Sequence, residues 1–213
     1  MTVQRLKTAK EGRVGIAKVL YGLALPFLLF FGVAMLWLTL SADPGKRVVE
    51  YELLTVATWI AVLVPVFLFF RNVTTRRNLL QHLKSALQDP QYFNPGDSYE
   101  MYHEGDGKYL GIDIKNGTIL YVHRIRKGQV DVVGLSMSDW TRCEVEGQMF
   151  RIYTKRPELP RLEIATPWAQ RWYDTLASMQ HQRYTTPKPF SAYVGEHIAK
   201  MERDNDIYIP KVA

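Results

Sequence analysis

The sequence predicts an α+β membrane protein: a two-helix transmembrane hairpin, then an antiparallel β domain capped by a C-terminal helix. Three observations carry this. Two long uncharged apolar runs lie near the N-terminus, the hydrophobic period switches to two from about residue 98, and it returns to a helical period after Pro167.

The first apolar run, Val19–Leu40, has 22 residues without a charge, and the second, Leu53–Phe70, has 18. At about 1.5 Å per residue these reach roughly 33 Å and 27 Å, against a hydrocarbon core of about 30 Å. A cleaved signal peptide fits the first run poorly. The run is too long for a signal core, and Leu40 occupies the first small-residue position of the Leu40-Ser41-Ala42 site. Pro26 and Pro65 lie inside the runs, where membrane helices tolerate them. Ala57 and Ala61 form a small-xxx-small pair that suggests close helix packing.

Charge sets the expected orientation. Residues 1–18 form a basic segment with Arg5, Lys7, Lys10, Arg13 and Lys18 against one acid. After the second run come Arg71, Arg76, Arg77 and Lys84, read as membrane-edge bases. The connecting loop, Ser41–Glu52, has two bases, Lys46 and Arg47, against three acids. The positive-inside rule then places both termini in the cytoplasm and the loop outside. Of the net charge of +6, residues 85–213 contribute almost nothing, with 16 bases against 17 acids. The basicity sits where anionic headgroups attract it, and the near-neutral soluble part argues against nucleic acid as a partner. Cys143 is the only cysteine, so no intramolecular disulfide forms, which fits a reducing compartment. The N-x-S/T matches at Asn72 and Asn116 read as chance.

Residues 71–90 read as an amphipathic linker helix. Val73, Leu80, Leu83 and Leu87 recur at helical spacing, and Asp89-Pro90 stops it. It either continues from the membrane and packs on the domain or lies on anionic lipid. Residues 91–182 form the β domain. Its expected strands are Tyr99–His103, Tyr109–Ile114, Thr118–Ile125, Gln129–Gly134, Trp140–Glu146, Gln148–Tyr153 and Arg161–Ala165. Asn116-Gly117, Gly128 and Gly147 mark turns. Alternation in Gly111–Ile114 and Arg151–Tyr153 predicts half-buried strands. Thr166 as N-cap and Pro167 in the first turn open a helix with Trp168, Trp172, Leu176 and Met179 on one face. Residues 183–213 read as a tail with a short helix over Ser191–Arg203, and Ile207–Ile209 is left to pair or dock, or to bind a partner.

Seven antiparallel strands followed by one helix is the order of a pleckstrin-homology-like (PH-like) barrel. KYLGIDIKNGTILYVHR, VGLSMSDWTRCEV and PWAQRWYDTL, within Lys108–Met179, resemble the bacterial PH-like domains found beside membrane helices. The whole plan of basic stub, two membrane helices and C-terminal domain is similar to that of the entry-exclusion (ExcA-type) proteins of conjugative plasmids. That resemblance implies a non-enzymatic inner-membrane protein that stops a cell from accepting a second copy of a related plasmid, with a protein component of the conjugative transfer machinery as partner.

No catalytic constellation, cofactor motif or metal-ligand spacing is legible. His82, His103, His123, His181 and His197 have no metal-type spacing, and Cys143 on a strand reads as a small core residue rather than a nucleophile. Gly134–Ser138 lacks the second glycine of a nucleophile elbow. Glu100, Glu104, Asp106 and Asp113 read as solvated carboxylates. Arg124, Arg126 and Lys127, leading into the turn after the third strand, are candidate contacts for a lipid headgroup phosphate, as basic barrel loops are in PH-like folds. A general scaffold unrelated to conjugation, and an enzyme built around Cys143 or the acidic stretch 100–106, are the alternatives.

Overall fold

The computed structural model describes residues 9–41 and 49–210, with side chains from Gly15 onward. Arg5 and Lys7, the side chains of Lys10 and Arg13, and most of the connecting loop, with Asp43, Lys46 and Arg47, lie outside the described residues. Two compact units result, residues 1–72 and 73–213.

The first unit holds α1, Ala9–Ser41, and the first part of α2, Val49–Leu87. Both helices are long and apolar enough to cross a membrane. One side of α1 meets α2 through Tyr21, Leu25, Leu28, Gly32, Met35 and Thr39, a spacing of alternating four and three residues that keeps a single seam on one helix face. Thr55, Thr58 and Val62 form the facing stripe on α2, and Ala57 and Ala61, expected at the interface, are exposed instead. The close approach comes from Gly32, whose missing Cβ would stand 3.5 Å from the Thr58 methyl. Most polar groups in the seam are satisfied internally, the exception being Trp59, whose ring packs on Gly32 and whose indole Nε1 is buried without a partner. Tyr21 donates to the Val62 carbonyl at 2.9 Å, and the Thr39 and Thr55 hydroxyls meet at 3.1 Å while each bonds its own helix backbone. Large apolar side chains such as Phe27, 77% exposed, cover the outside, as a lipid-facing surface requires.

The second unit has the predicted strands in the predicted order. β1 (Glu100–His103), β2 (Lys108–Asp113), β3 (Thr118–Arg126) and β4 (Gln129–Ser136) make one antiparallel sheet in sequential order. β5 (Trp140–Glu146), β6 (Met149–Thr154) and β7 (Arg161–Ala165) make a second. α3, Ala169–Met179, and α4, Phe190–Asn205, follow. The turns at Gly117, Gly128 and Gly147 all take positive φ, at 66°, 77° and 59°. At Gly117 this conformation closes a four-residue loop, not a two-residue one. Asp113 reaches over it and accepts the amides of Lys115 and Asn116 at 2.9 and 3.2 Å.

Two cores share the first sheet. Leu110, Ile112, Ile119, Tyr121, Val133 and Leu135 face the second sheet and α3, where Trp172, Leu176 and Phe150 are fully buried. The opposite side, Tyr109, Leu120, Val122, Val130 and Val132, packs on Leu80, Leu83 and Leu87 of α2 and on Phe190, Tyr193, Val194 and Met201 of α4. β2 is therefore buried on both faces, against the half-buried reading of its alternation, and only β6 and β7 keep an alternating pattern. Of the two readings of the linker helix, packing on the domain holds: its leucines are fully buried in protein, not laid on lipid. The tail belongs to the same core. Tyr208 exchanges backbone hydrogen bonds with the start of β4, donating to Gly128 at 2.8 Å and accepting from Val130 at 3.1 Å. Trp168, expected on the buried stripe of α3, is 49% exposed, and Ala169 takes its place. The helix starts after Trp168, whose amide is held by the Thr166 hydroxyl at 3.2 Å.

Gly134 is the notch that admits α4. A Cβ there would lie 2.7 Å from a Val194 methyl and 2.9 Å from the Phe190 ring. We expect Gly134→Ala to destabilise the folded chain by about 1–3 kcal/mol through overpacking, and Leu83→Ala by about 2–5 kcal/mol through the cavity it leaves, read by denaturant unfolding of the second unit's tryptophans.

Candidate functional site

Three of the four α2 bases that the sequence assigns to a membrane edge meet the β1 strand and the turn after it. Arg77 pairs with Glu104 at 3.3 Å, and Arg76 donates through Nη1 to the Gly105 carbonyl. Lys84 reaches Glu100 at 2.7 Å, with both side chains 15% exposed. Arg71, the fourth, is exposed and belongs to the first unit. The buried Tyr109 hydroxyl donates to the same Glu100 oxygen at 2.9 Å. Burial and then the Glu100 charge push the Tyr109 phenol far up, and the same two causes push Tyr102 up to about 12. Both phenols stay protonated donors at any physiological pH. Glu100 is thus a structural carboxylate, not a solvated one. So is Asp113, only 2% exposed, which also accepts the Asn94 amide at 2.8 Å and the Asn116 side chain at 2.7 Å.

The basic turn after β3 comes to the same place. The β3–β4 register shifts between Arg124 and Arg126, a bulge that re-aims the side chains at this end. Arg124 is half-buried and its backbone amide is held by the Gly107 carbonyl at 2.8 Å. Gly107, at φ 68°, sits against it, since a Cβ there would lie 3.1 Å from the Arg124 Cβ. Burial, and after it the positive charge of Arg76, lowers the Arg124 guanidinium from its ordinary value. Arg76 and Arg124 stand 48 positions apart, and nothing local in the sequence signals their meeting. Lys127, at the turn itself, is exposed.

A second feature lies on the other sheet. β5 is an outer strand of its sheet, and a cleft of about 470 Å³ runs between its Cys143–Glu146 segment and Gln170 and Tyr173 of α3. Its charges are largely committed: Arg151 holds Glu146 at 2.6 Å and approaches Glu163 at 3.8 Å, while Arg142 stacks on Tyr153 at 4.4 Å. No histidine lines the cleft. Burial pushes the Cys143 thiol up to about 11, which suppresses the thiolate that nucleophilic chemistry needs.

Two outcomes follow. A double-mutant cycle on Lys84→Met and Glu100→Gln should return a coupling of about 1–3 kcal/mol in unfolding free energy, as for a hydrogen-bonded, largely buried charge pair. Because its pKa is raised from 9 to about 11, Cys143 should carry about a hundredfold less thiolate at neutral pH than an unperturbed thiol. Its alkylation by iodoacetamide should be correspondingly slow and keep rising to pH 11.

A protein-family model described as exclusion-determining protein matches residues 1–213. Comparisons with the curated proteins and with the solved structures gave no match. Since the family match runs the whole length of a chain with two long apolar helices and a folded C-terminal unit, this chain belongs to the exclusion-determining protein family.

Proposed function

We propose that this chain is a non-enzymatic protein of the bacterial inner membrane that blocks entry of related conjugative plasmids by contacting a component of the donor's transfer machinery. The family match over residues 1–213 carries this reading. The two apolar helices supply the anchor, and the charge pattern supports cytoplasmic termini. The two sheets and α3 support a PH-like barrel as the binding module. A binding role also suits the β5–α3 region. An outer strand beside a cleft accepts an extended segment of a partner, and the exposed Trp168 and Tyr173 are residue types that dominate binding hot spots. The suppressed thiolate of Cys143 speaks for binding over nucleophilic catalysis.

The test is a mating assay. Plasmid-free recipients expressing the chain are crossed with donors carrying different transfer systems, and transconjugants are counted. A large drop confined to one class of donor is expected, unchanged by Cys143→Ser. Equal transfer from every donor, with the protein present in the membrane fraction, would overturn the reading. Trp168→Ala with Tyr173→Ala should restore transfer about tenfold or more while the protein level is kept, the loss expected when two hot-spot aromatics are removed.

A further inference from the structure

We propose that Arg76 of α2 and Arg124 of β3 form a binding site for a phosphate group, filled by the headgroup of an anionic phospholipid. This goes beyond the exclusion reading and does not depend on it.

The two guanidinium groups come from distant segments, are both half-buried, and act on one another as like charges. Each keeps a buried nitrogen without a hydrogen-bond partner, Nε of Arg76 and Nη1 of Arg124. Leaving buried donors unmade is costly, and so is placing two cations together away from water. Nearby acids do not relieve Arg124. Glu104 is taken by Arg77 at 3.3 Å and Glu100 by Lys84 and Tyr109, while Asp106, 59% exposed, lies 3.4 Å from His103 and forms no ion pair with Arg124. Among the described residues Arg124 has no carboxylate partner.

The Arg124 backbone is fixed by the Gly107 turn and the bulge beside it, and one Arg76 nitrogen is tied to the Gly105 carbonyl. The pair is thus held in place before any ligand arrives. An oxyanion between them would satisfy the free donors and cancel the repulsion, and the planar forks of arginine match phosphate oxygens. Arg126 and the exposed Lys127 add positive potential at the same turn. The lipid source follows from chain position. Arg76 lies six residues beyond Phe70, the last residue of the apolar run, and six residues of helix rise about 9 Å, just past a headgroup layer about 5–8 Å thick and within reach of it for an arginine side chain.

The experiment uses the full chain in uncharged detergent micelles. Thermal unfolding and tryptophan fluorescence are followed while either dioctanoyl phosphatidylglycerol or inorganic phosphate is added. Phosphatidylglycerol should bind saturably and raise Tm. Arg76→Gln with Arg124→Gln should weaken that binding by about tenfold or more. Lys115→Gln with Lys155→Gln, which removes the same charge from exposed positions, should change it by no more than about twofold. Without added anion the arginine double variant should melt no lower than the native chain, because a repulsion has been removed. Arg124→Lys, which keeps the charge and loses the fork, should also bind more weakly, and it serves if the double variant does not fold. Equal loss in the lysine control, or no loss in the arginine variants, overturns the site. Inorganic phosphate acting as strongly as the lipid, with the same arginine dependence, keeps the site and overturns the lipid as its occupant.

Discussion

The first sheet is apolar on both faces, and the rest of the second unit answers that constraint. In β3, Ile119 and Tyr121 point into one core while Leu120 and Val122 point into the other. A sheet with two dry faces has to be covered twice. The second sheet and α3 cover one side. The end of α2 and all of α4 cover the other, with Leu80, Leu83, Leu87 and Phe190 excluded from solvent. Removing either cover would expose a row of large side chains, so α4 is an integral layer rather than an appendage. Gly111 and Gly134 mark where the layers come closest, the first under Tyr109 and Phe93, the second under Val194 and Phe190.

Charge arrangement follows from that packing. Once the leucines of α2 are buried, the bases between them are carried to β1 and its turn. Lys84 and Glu100 lose most of their water together, and the Tyr109 hydroxyl satisfies the same carboxylate oxygen. Such a pair fixes a register more than it adds stability, because desolvation offsets most of the attraction. The adjacent Arg76 and Arg124 are like charges in partial burial, an arrangement that folding alone does not favour. Buried nitrogens of both, Nε of Arg76 and Nη1 of Arg124, are without a hydrogen-bond partner, which is what the proposed phosphate would supply.

Membership of the exclusion-determining family gives these features a setting. α2 is apolar enough in its first part to span a membrane, and its last turns carry leucines of the second unit's core. The β5–α3 cleft, lined by the exposed Tyr173, lies on the second sheet, which the α2 leucines do not touch.

The sequence by itself determined the elements. Uncharged runs specified the two long helices, and period two with glycine turns specified seven strands within a residue or two at most ends, because these signals are local and repeat along the chain. Local signals also misled. Trp168 has the right spacing for the α3 stripe yet lies exposed, since the helix begins one residue later and Ala169 fills the core. Ala57 and Ala61 have the right size for a helix seam, but the seam runs through Thr55, Thr58 and Val62. Tertiary structure alone decided which carboxylates are structural, that the tail completes the second core, and that Arg76 meets Arg124. Each of these depends on bringing together residues far apart in the chain, and period, propensity and turn chemistry carry no information about such pairs until layers pack against one another.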